Sequence, residues 1–348
     1  MTAALMLSKI ETEMLINLVK QLTTGNADSA EWQLQKLQQL GKLRTANVKM
    51  IASERTKLLE AVRAEITKTA YESAKLIDAG VKEAGKTTGT ALPITSNPAI
   101  ESVITSYVNM AANTFDSAFA PMLAKCDVMY TDTITKAVIK QKLGVSGRQA
   151  IAETCSEWSQ QGLKALTDKA GRNWTTEAYA QTVLRSSSTK AATDTQFARM
   201  SELDEDLVEI SSHIGARPKC APYQGHIYSL SGKSTKYPAL SSTSYGEPDG
   251  LFGINCRHIM YPYFEGTEKT YQPQNAERNE SAYKNSQKQR AYERSIREAK
   301  RNVKIMSATK DKDQIANANE LLEKRQNALK SFISKTGRTR RTDREQIY

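Results

Sequence analysis

Met6-Leu7-Ser8-Lys9-Ile10-Glu11-Thr12-Glu13-Met14-Leu15-Ile16-Asn17-Leu18-Val19-Lys20-Gln21-Leu22 sets the reading of the chain. Leu7, Ile10, Met14, Leu18 and Leu22 recur every three or four residues, which draws one apolar stripe down an α-helix. Gly25-Asn26 ends that helix. Further along, the same period returns in Leu34, Leu37 and Leu40, and again in Leu58, Leu59, Val62 and Ile66. Asn97-Pro98 predicts a new helix start: Asn caps, and Pro suits the first turn, where its missing N–H would be unpaired anyway. Ile100, Val103, Ile104, Tyr107, Val108 and Phe115 form the buried face that follows. Leu143-Gly144 reads as a helix end. Ser146 and Gln149 have capping-box spacing for the next helix. Thr175 or Thr176 opens another, carrying Tyr179, Val183 and Leu184. Gly80 to Pro98 reads as a linker. Ser186 to Thr195 reads by composition as a loop or a polar helix surface. The stripes predict core and show no cofactor pattern, and no fixed-period repeat is visible.

From about Ser201 to Gly266 glycine, proline and aromatic residues rise. Gln224-Gly225-His226-Ile227-Tyr228-Ser229-Leu230 and Cys256-Arg257-His258-Ile259-Met260-Tyr261 alternate like strands. A turn-rich stretch, Ser231 to Gly253, lies between them. Charged helices then resume over Ala282 to Lys304 and Asp311 to Phe332. The expected fold is therefore mainly α with a small α+β module. It has a helical body over 1–200, an irregular β-containing unit over 201–266 and a basic helical tail over 267–348.

A length of 348 residues suits about two domains. With 39% hydrophobic and 25% charged residues, the composition is neither collagenous nor wholly disordered. No apolar run reaches membrane-spanning length, and Lys9, Glu11 and Glu13 make the first residues a poor secretion signal. Four cysteines in so long a chain are no disulfide framework; they are expected as reduced thiols or ligands in a cytosolic setting. The net charge is +11, and Thr267 to Tyr348 holds 20 basic against 11 acidic residues, nearly the whole excess. Such an end favours a polyanion, with Arg338, Arg340 and Arg341 as the expected nucleic-acid contacts. The bland alternative is a solvated helical surface whose interleaved acids blunt the field.

All three histidines, His213, His226 and His258, fall in the small module, with Cys220 and Cys256. On a strand, Cys256 and His258 project from one face. Together with His213 and Cys220 they make four N/S donors in two pairs, enough for a tetrahedral Zn²⁺ that would fasten a segment too polar to hold itself by burial. Their spacing matches no known finger. The other reading has the histidines hydrogen-bonding within a turn and the cysteines packing as small apolar groups. A third is a metal-free nuclease site from His213, His226 and His258 with Arg217 and Arg257. No paired carboxylates, phosphate-cradling glycine loop or nucleophile elbow accompany it. Glu247 and Asp249 sit in a turn that such residues usually serve.

One further property comes from likeness. Asp206 to Pro218, Tyr223 to Ser229, Tyr245-Gly246, Asp249 to His258 and Tyr261-Pro262-Tyr263 together resemble the phage minor capsid protein 2 family of tailed bacteriophages. Asn255-Cys256-Arg257-His258 resembles the Asn-Cys-Arg-Cys ending of Mu-type head morphogenesis proteins. Asp168 to Trp174, Tyr179, Gln289 to Arg294, Ile296-Arg297 and Asp343-Arg344-Glu345 fit the same family. The resemblance implies a structural, non-enzymatic protein of the phage head, found in the virion and, during assembly, in the host cytoplasm. Its implied partners are the portal or major capsid protein, and packaged DNA through the basic tail; no membrane or small-molecule substrate is implied. Within that family reading, the alternative is a phage-delivered nuclease or toxin-like enzyme using His213, His226 and His258.

Overall fold

The computed structural model describes residues 3–29, 31–88, 91–164, 166–167, 171 and 173–347. Among them are seven α-helices and five short strands, so the protein is mainly α with a small sheet module. The helices are α1 (Ala3–Leu22), α2 (Trp32–Glu83), α3 (Pro98–Lys142), α4 (Gly147–Ser159), α5 (Thr176–Glu202), α6 (Ala276–Thr309) and α7 (Lys312–Thr336). The strands are β1 (Leu166–Thr167), β2 (Asn173–Trp174), β3 (Leu207–Ile210), β4 (Ile227–Ser229) and β5 (Met260–Pro262). None of the described helices is long and apolar enough to cross a membrane. Of the family-like stretch 168–174, residues 168–170 and 172 lie outside the described residues, as does Tyr348.

Local chemistry sets the helix ends as the residues predict. The Asn97 carboxamide oxygen accepts the N–H groups of Ala99 and Ile100, at 3.0 and 3.3 Å, opening α3. At its other end Gly144 takes φ +92°, and the N–H groups of Gly144 and Val145 close on the carbonyls of Gln141 and Lys140. Ser146 then caps α4 by accepting the Gln149 N–H at 3.4 Å. Of the two threonines, Thr175 is the cap of α5, accepting the Ala178 N–H. The linker is shorter than Gly80 to Pro98, because α2 runs on to Glu83. Ser186 to Thr195 is helix: Ser187, Ser188, Thr193 and Thr195 are buried within α5.

The chain forms two compact units. The first comprises Met1–Leu59, Phe115–Ala180 and Lys288–Tyr348; the second comprises Glu60–Thr114 and Gln181–Gln287. In the first unit, Leu7, Ile10, Met14, Leu18 and Leu22 are buried as their period requires, with Phe115, Met122 and Tyr130 of α3 and Ile151 of α4. The α2 stripe is a correction. Leu34 and Leu37 are 61% and 43% exposed, and the buried face is Trp32, Lys36, Leu43, Asn47 and Ile51. The reason is a polar contact that apolar periodicity cannot report. The Lys36 ammonium donates to the Gln21 carbonyl at 2.7 Å and to the Thr24 hydroxyl at 2.5 Å, meeting the carbonyl end of α1. Burial lowers the Lys36 pKa. Lys288 onward also packs into this unit: Ile296, Ala299, Arg301, Asn302, Ile305 and Met306 of α6 are buried.

The second unit holds a three-stranded antiparallel sheet ordered β4-β3-β5. Glu209 of central β3 pairs with Ile227 on one side and Tyr261 on the other. Val208, Ile210, Tyr228 and Met260 join Ile77, Val81, Met200, Leu240, Leu251 and Phe252 in one core. Buried Glu209 is satisfied by the N–H groups of Thr270 and Tyr271, at 3.0 and 2.7 Å. Arg199, 3% exposed, ties α5 to α2: its guanidinium forks onto Asp78 at 2.6 and 2.8 Å and also reaches Glu202 and the Leu92 carbonyl. Arg199→Met would leave both carboxylates without their cation. It should lower stability by about 2–3 kcal/mol, read as a shifted urea midpoint.

Candidate functional site

The segment Cys256-Arg257-His258-Ile259-Met260 alternates buried, exposed, buried, exposed, buried, the period-two pattern its sequence predicts. Ladder pairing begins only at Met260, so the expected strand is shorter than 256–261. Ser211 holds the extended approach instead. Its N–H donates to the Ile259 carbonyl and its hydroxyl accepts the Ile259 N–H, both at 2.8 Å. Cys256 Sγ lies 3.3 Å from His258 Nδ1.

Cys220 reaches the same place from a turn closed by its N–H on the Arg217 carbonyl. Its Sγ stands 3.9 Å from Cys256 Sγ and 3.4 Å from the Gly250 carbonyl. Ser244 fixes the approach by donating to the Lys219 carbonyl at 2.7 Å and accepting the Leu251 N–H at 3.0 Å. Gly250 must be glycine here, because an added Cβ would sit 1.9 Å from the Ser244 carbonyl oxygen. Beyond it, Phe252 and Asn255 take φ +56° and +60°, turning the chain back toward Cys256.

His213 stacks on His258, with ring centroids 4.5 Å apart and planes at 25°. Asn279, in the first turns of α6, holds the turn after it. Its oxygen accepts the N–H groups of Gly215 and Ala216, each at 2.8 Å, and its NH₂ donates to the Ala216 carbonyl. Gln224 joins the two histidine segments: its Oε1 accepts the His213 N–H at 3.0 Å and lies 3.2 Å from His258 Nε2. A backbone N–H needs an acceptor, so that atom is the amide oxygen. His258 Nε2 therefore carries a proton, and Nδ1 is the ring atom that faces Cys256 Sγ. His213 Nε2 is buried and has no partner.

Three of the four expected metal ligands, Cys220, Cys256 and His258, thus present donor atoms within 4.8 Å of one another, all buried. His213 joins them by stacking rather than as a fourth member of that triangle. The two thiols share a hydrogen bond that pulls their ionisation apart. Stabilised by the Cys220 thiol and by His258, Cys256 falls well below the usual thiol range. Its bond to Cys256, together with burial, pushes Cys220 up. Burial and the neighbouring His258 lower His213.

Of the histidines expected for a nuclease site, His213 and His258 stack together, but His226 does not join them. His226 is exposed and lines a surface groove with Tyr223, Tyr237 and Lys269. Both His258 ring nitrogens already face partners, and Arg217 donates to the Ile254 carbonyl. Glu247 and Asp249 pair with Lys219 at 2.7 and 2.8 Å, serving their turn. The arginines expected on nucleic acid have partners within the chain. Arg338 donates to Gln289 at 2.7 Å, Arg340 forks onto buried Glu345 at 2.7 and 2.6 Å, and Arg341 faces Asp343. The residues that sequence reasoning missed are Ser211, Gln224, Ser244 and Asn279. Only Ser211 and Gln224 stood in the quoted family-like stretches.

The family model described as phage minor capsid protein 2 matches residues 3–334. A protein of Lactococcus phage LL-H named "Structural protein" is 26% identical over 360 aligned residues, covering 96% of this chain and 95% of that protein. A second "Structural protein", from Lactococcus phage mv4, is 34% identical over 117 residues, covering 32% of this chain and 93% of that protein. No solved structure matches the chain. Replacing the amide with an apolar group, Gln224→Leu, would strand the His213 N–H and the His258 Nε2–H. It should cost about 2–3 kcal/mol, measured as loss of amide-exchange protection over 207–230.

Proposed function

The chain belongs to the phage minor capsid protein 2 family, and from that premise we propose that it is a head component of a tailed phage, assembled in the host cytoplasm at the portal or the capsid interior. The observation that carries this reading is the span of the likeness. It covers residues 3–334 in the family and 96% of the chain in a phage structural protein, so it spans both units rather than one module. The build agrees with such a role. Long helices offer extended surfaces to neighbouring subunits, and the described site is a tight structural cluster rather than an open cleft. Proximity to packaged DNA is the finer part, supported by the charge excess after Thr267. With Arg338, Arg340 and Arg341 engaged within the chain, the exposed α7 lysines Lys312, Lys330 and Lys335 are the groups offered to phosphate.

Peptide mass spectrometry of gradient-purified particles, before and after DNA release, tests the assignment. Peptides of this chain should be present in both, at far lower abundance than the major capsid protein. Their absence from intact particles would remove the head-component reading. For the DNA-facing part, full-chain binding to a short duplex should weaken about tenfold or more between low and physiological salt, and weaken further in K312Q/K330Q/K335Q. Binding that ignores salt, or is unchanged in the triple variant, would detach DNA from the proposal and leave the virion role standing.

A further inference from the structure

We propose that Cys220, Cys256 and His258 hold a structural Zn²⁺ ion, with His213 as its fourth donor. The inference goes beyond the virion role and does not depend on it. A tetrahedral ion bound at Zn–S of about 2.3 Å and Zn–N of about 2.0–2.1 Å sets its donors about 3.8 Å apart for two sulfurs and about 3.6 Å for sulfur and nitrogen. The chain places Cys220 Sγ and Cys256 Sγ 3.9 Å apart, and Cys256 Sγ and His258 Nδ1 3.3 Å apart. Two edges of the coordination triangle are therefore already built, and the third closes within 4.8 Å.

The shell behind the donors points the same way. A ligating imidazole is oriented by a hydrogen bond from its other ring N–H, and His258 Nε2 gives that bond to Gln224 Oε1. Nδ1, the ring atom that faces Cys256 Sγ, is the nitrogen left to ligate. The same oxygen takes the His213 N–H, so one buried amide locates both histidine segments. His213 supplies the remaining signal: a buried Nε2 without a partner, on a ring stacked against a ligand ring, is an unsatisfied lone pair or N–H beside a donor triangle. That nitrogen is the donor taken to complete the set. The donor set, two sulfurs with two imidazoles, suits Zn²⁺ and excludes hard cations such as Mg²⁺ and Ca²⁺. A Cys220–Cys256 disulfide is the competing chemistry for this sulfur pair. It would need the sulfurs at about 2.05 Å and would leave His258 Nδ1 and His213 Nε2 without a role.

The test uses the full chain under reducing conditions, stripped by a chelator and then titrated with Zn²⁺ or Co²⁺. One equivalent of Zn²⁺ should bind, and Co²⁺ should give the visible bands of a tetrahedral site with thiolate charge transfer. Zn²⁺ should also raise the thermal midpoint and shield Cys220 and Cys256 from alkylation. C220S and C256S should lose the cobalt spectrum. H213Q, left with three protein donors, should keep a bound ion but hold it measurably more weakly. The wild-type measurements do not depend on variants folding. Less than about 0.2 equivalents bound by protein with a native circular dichroism spectrum would overturn the proposal. So would a Cys220–Cys256 disulfide persisting under reductant. Wild-type affinity in H213Q would overturn the assignment of His213.

Discussion

One amide oxygen carries the second unit's order. Gln224 Oε1 takes the backbone N–H of His213 and faces the ring N–H of His258, so two segments far apart in sequence answer to one buried acceptor. A hydrogen bond to a single acceptor is worth little net in water. Buried, the same bond is expensive to leave unmade, and its geometry becomes mandatory. The neighbouring contacts follow from it. With His258 fixed, Cys256 sits against its Nδ1. With His213 fixed, the turn through Gly215 and Ala216 meets Asn279 of α6. The sheet beneath is only three strands of three or four residues, too small for backbone pairing alone to hold the loops above it.

Apolar period made most of the helices legible, because burial of one face is what stabilises a helix of ordinary propensity. The Leu7 to Leu22 stripe and the Ile100 to Phe115 stripe are core, and the caps at Asn97 and Ser146 sit where side-chain oxygens meet unpaired N–H groups. Leu34 and Leu37 show the limit of that reasoning. Period alone cannot decide which of two candidate faces is buried, and the face with Trp32 and Lys36 is settled by the Gln21 carbonyl of α1 that Lys36 meets. Ser186 to Thr195 shows it from the other side: small hydroxyl side chains look like a loop in composition, yet they let α5 pack closely. Central β3 carries no strand signal in the sequence, because its four residues, with a buried glutamate, show no alternation.

The site was partly visible. Clustering of histidine and cysteine in one segment, with Cys256 and His258 two apart, is a signal that survives folding, since an extended backbone puts both on one side whether or not it pairs. The groups that aim them were not visible. Glutamine, serine and asparagine are common surface residues, and only the partners assembled by the fold distinguish Gln224, Ser244 and Asn279. Charge counting was the weakest guide: it gave the excess near the end correctly but could not show that Arg340 spends its guanidinium on Glu345. Family likeness over residues 3–334 supplies what no local pattern can, namely that the match runs through both units.

The interleaving of the two units has a consequence for synthesis. Every segment of the second unit has left the ribosome once Gln287 emerges, whereas the first still lacks Lys288 onward, including the buried Ile296, Ile305 and Met306. Helix Ala3–Leu22 therefore belongs to a unit that stays incomplete until that stretch is made. A copy halted before Lys288 thus lacks Ile296, Ile305 and Met306 from the core of its first unit, and leaves uncovered the apolar surface they meet there.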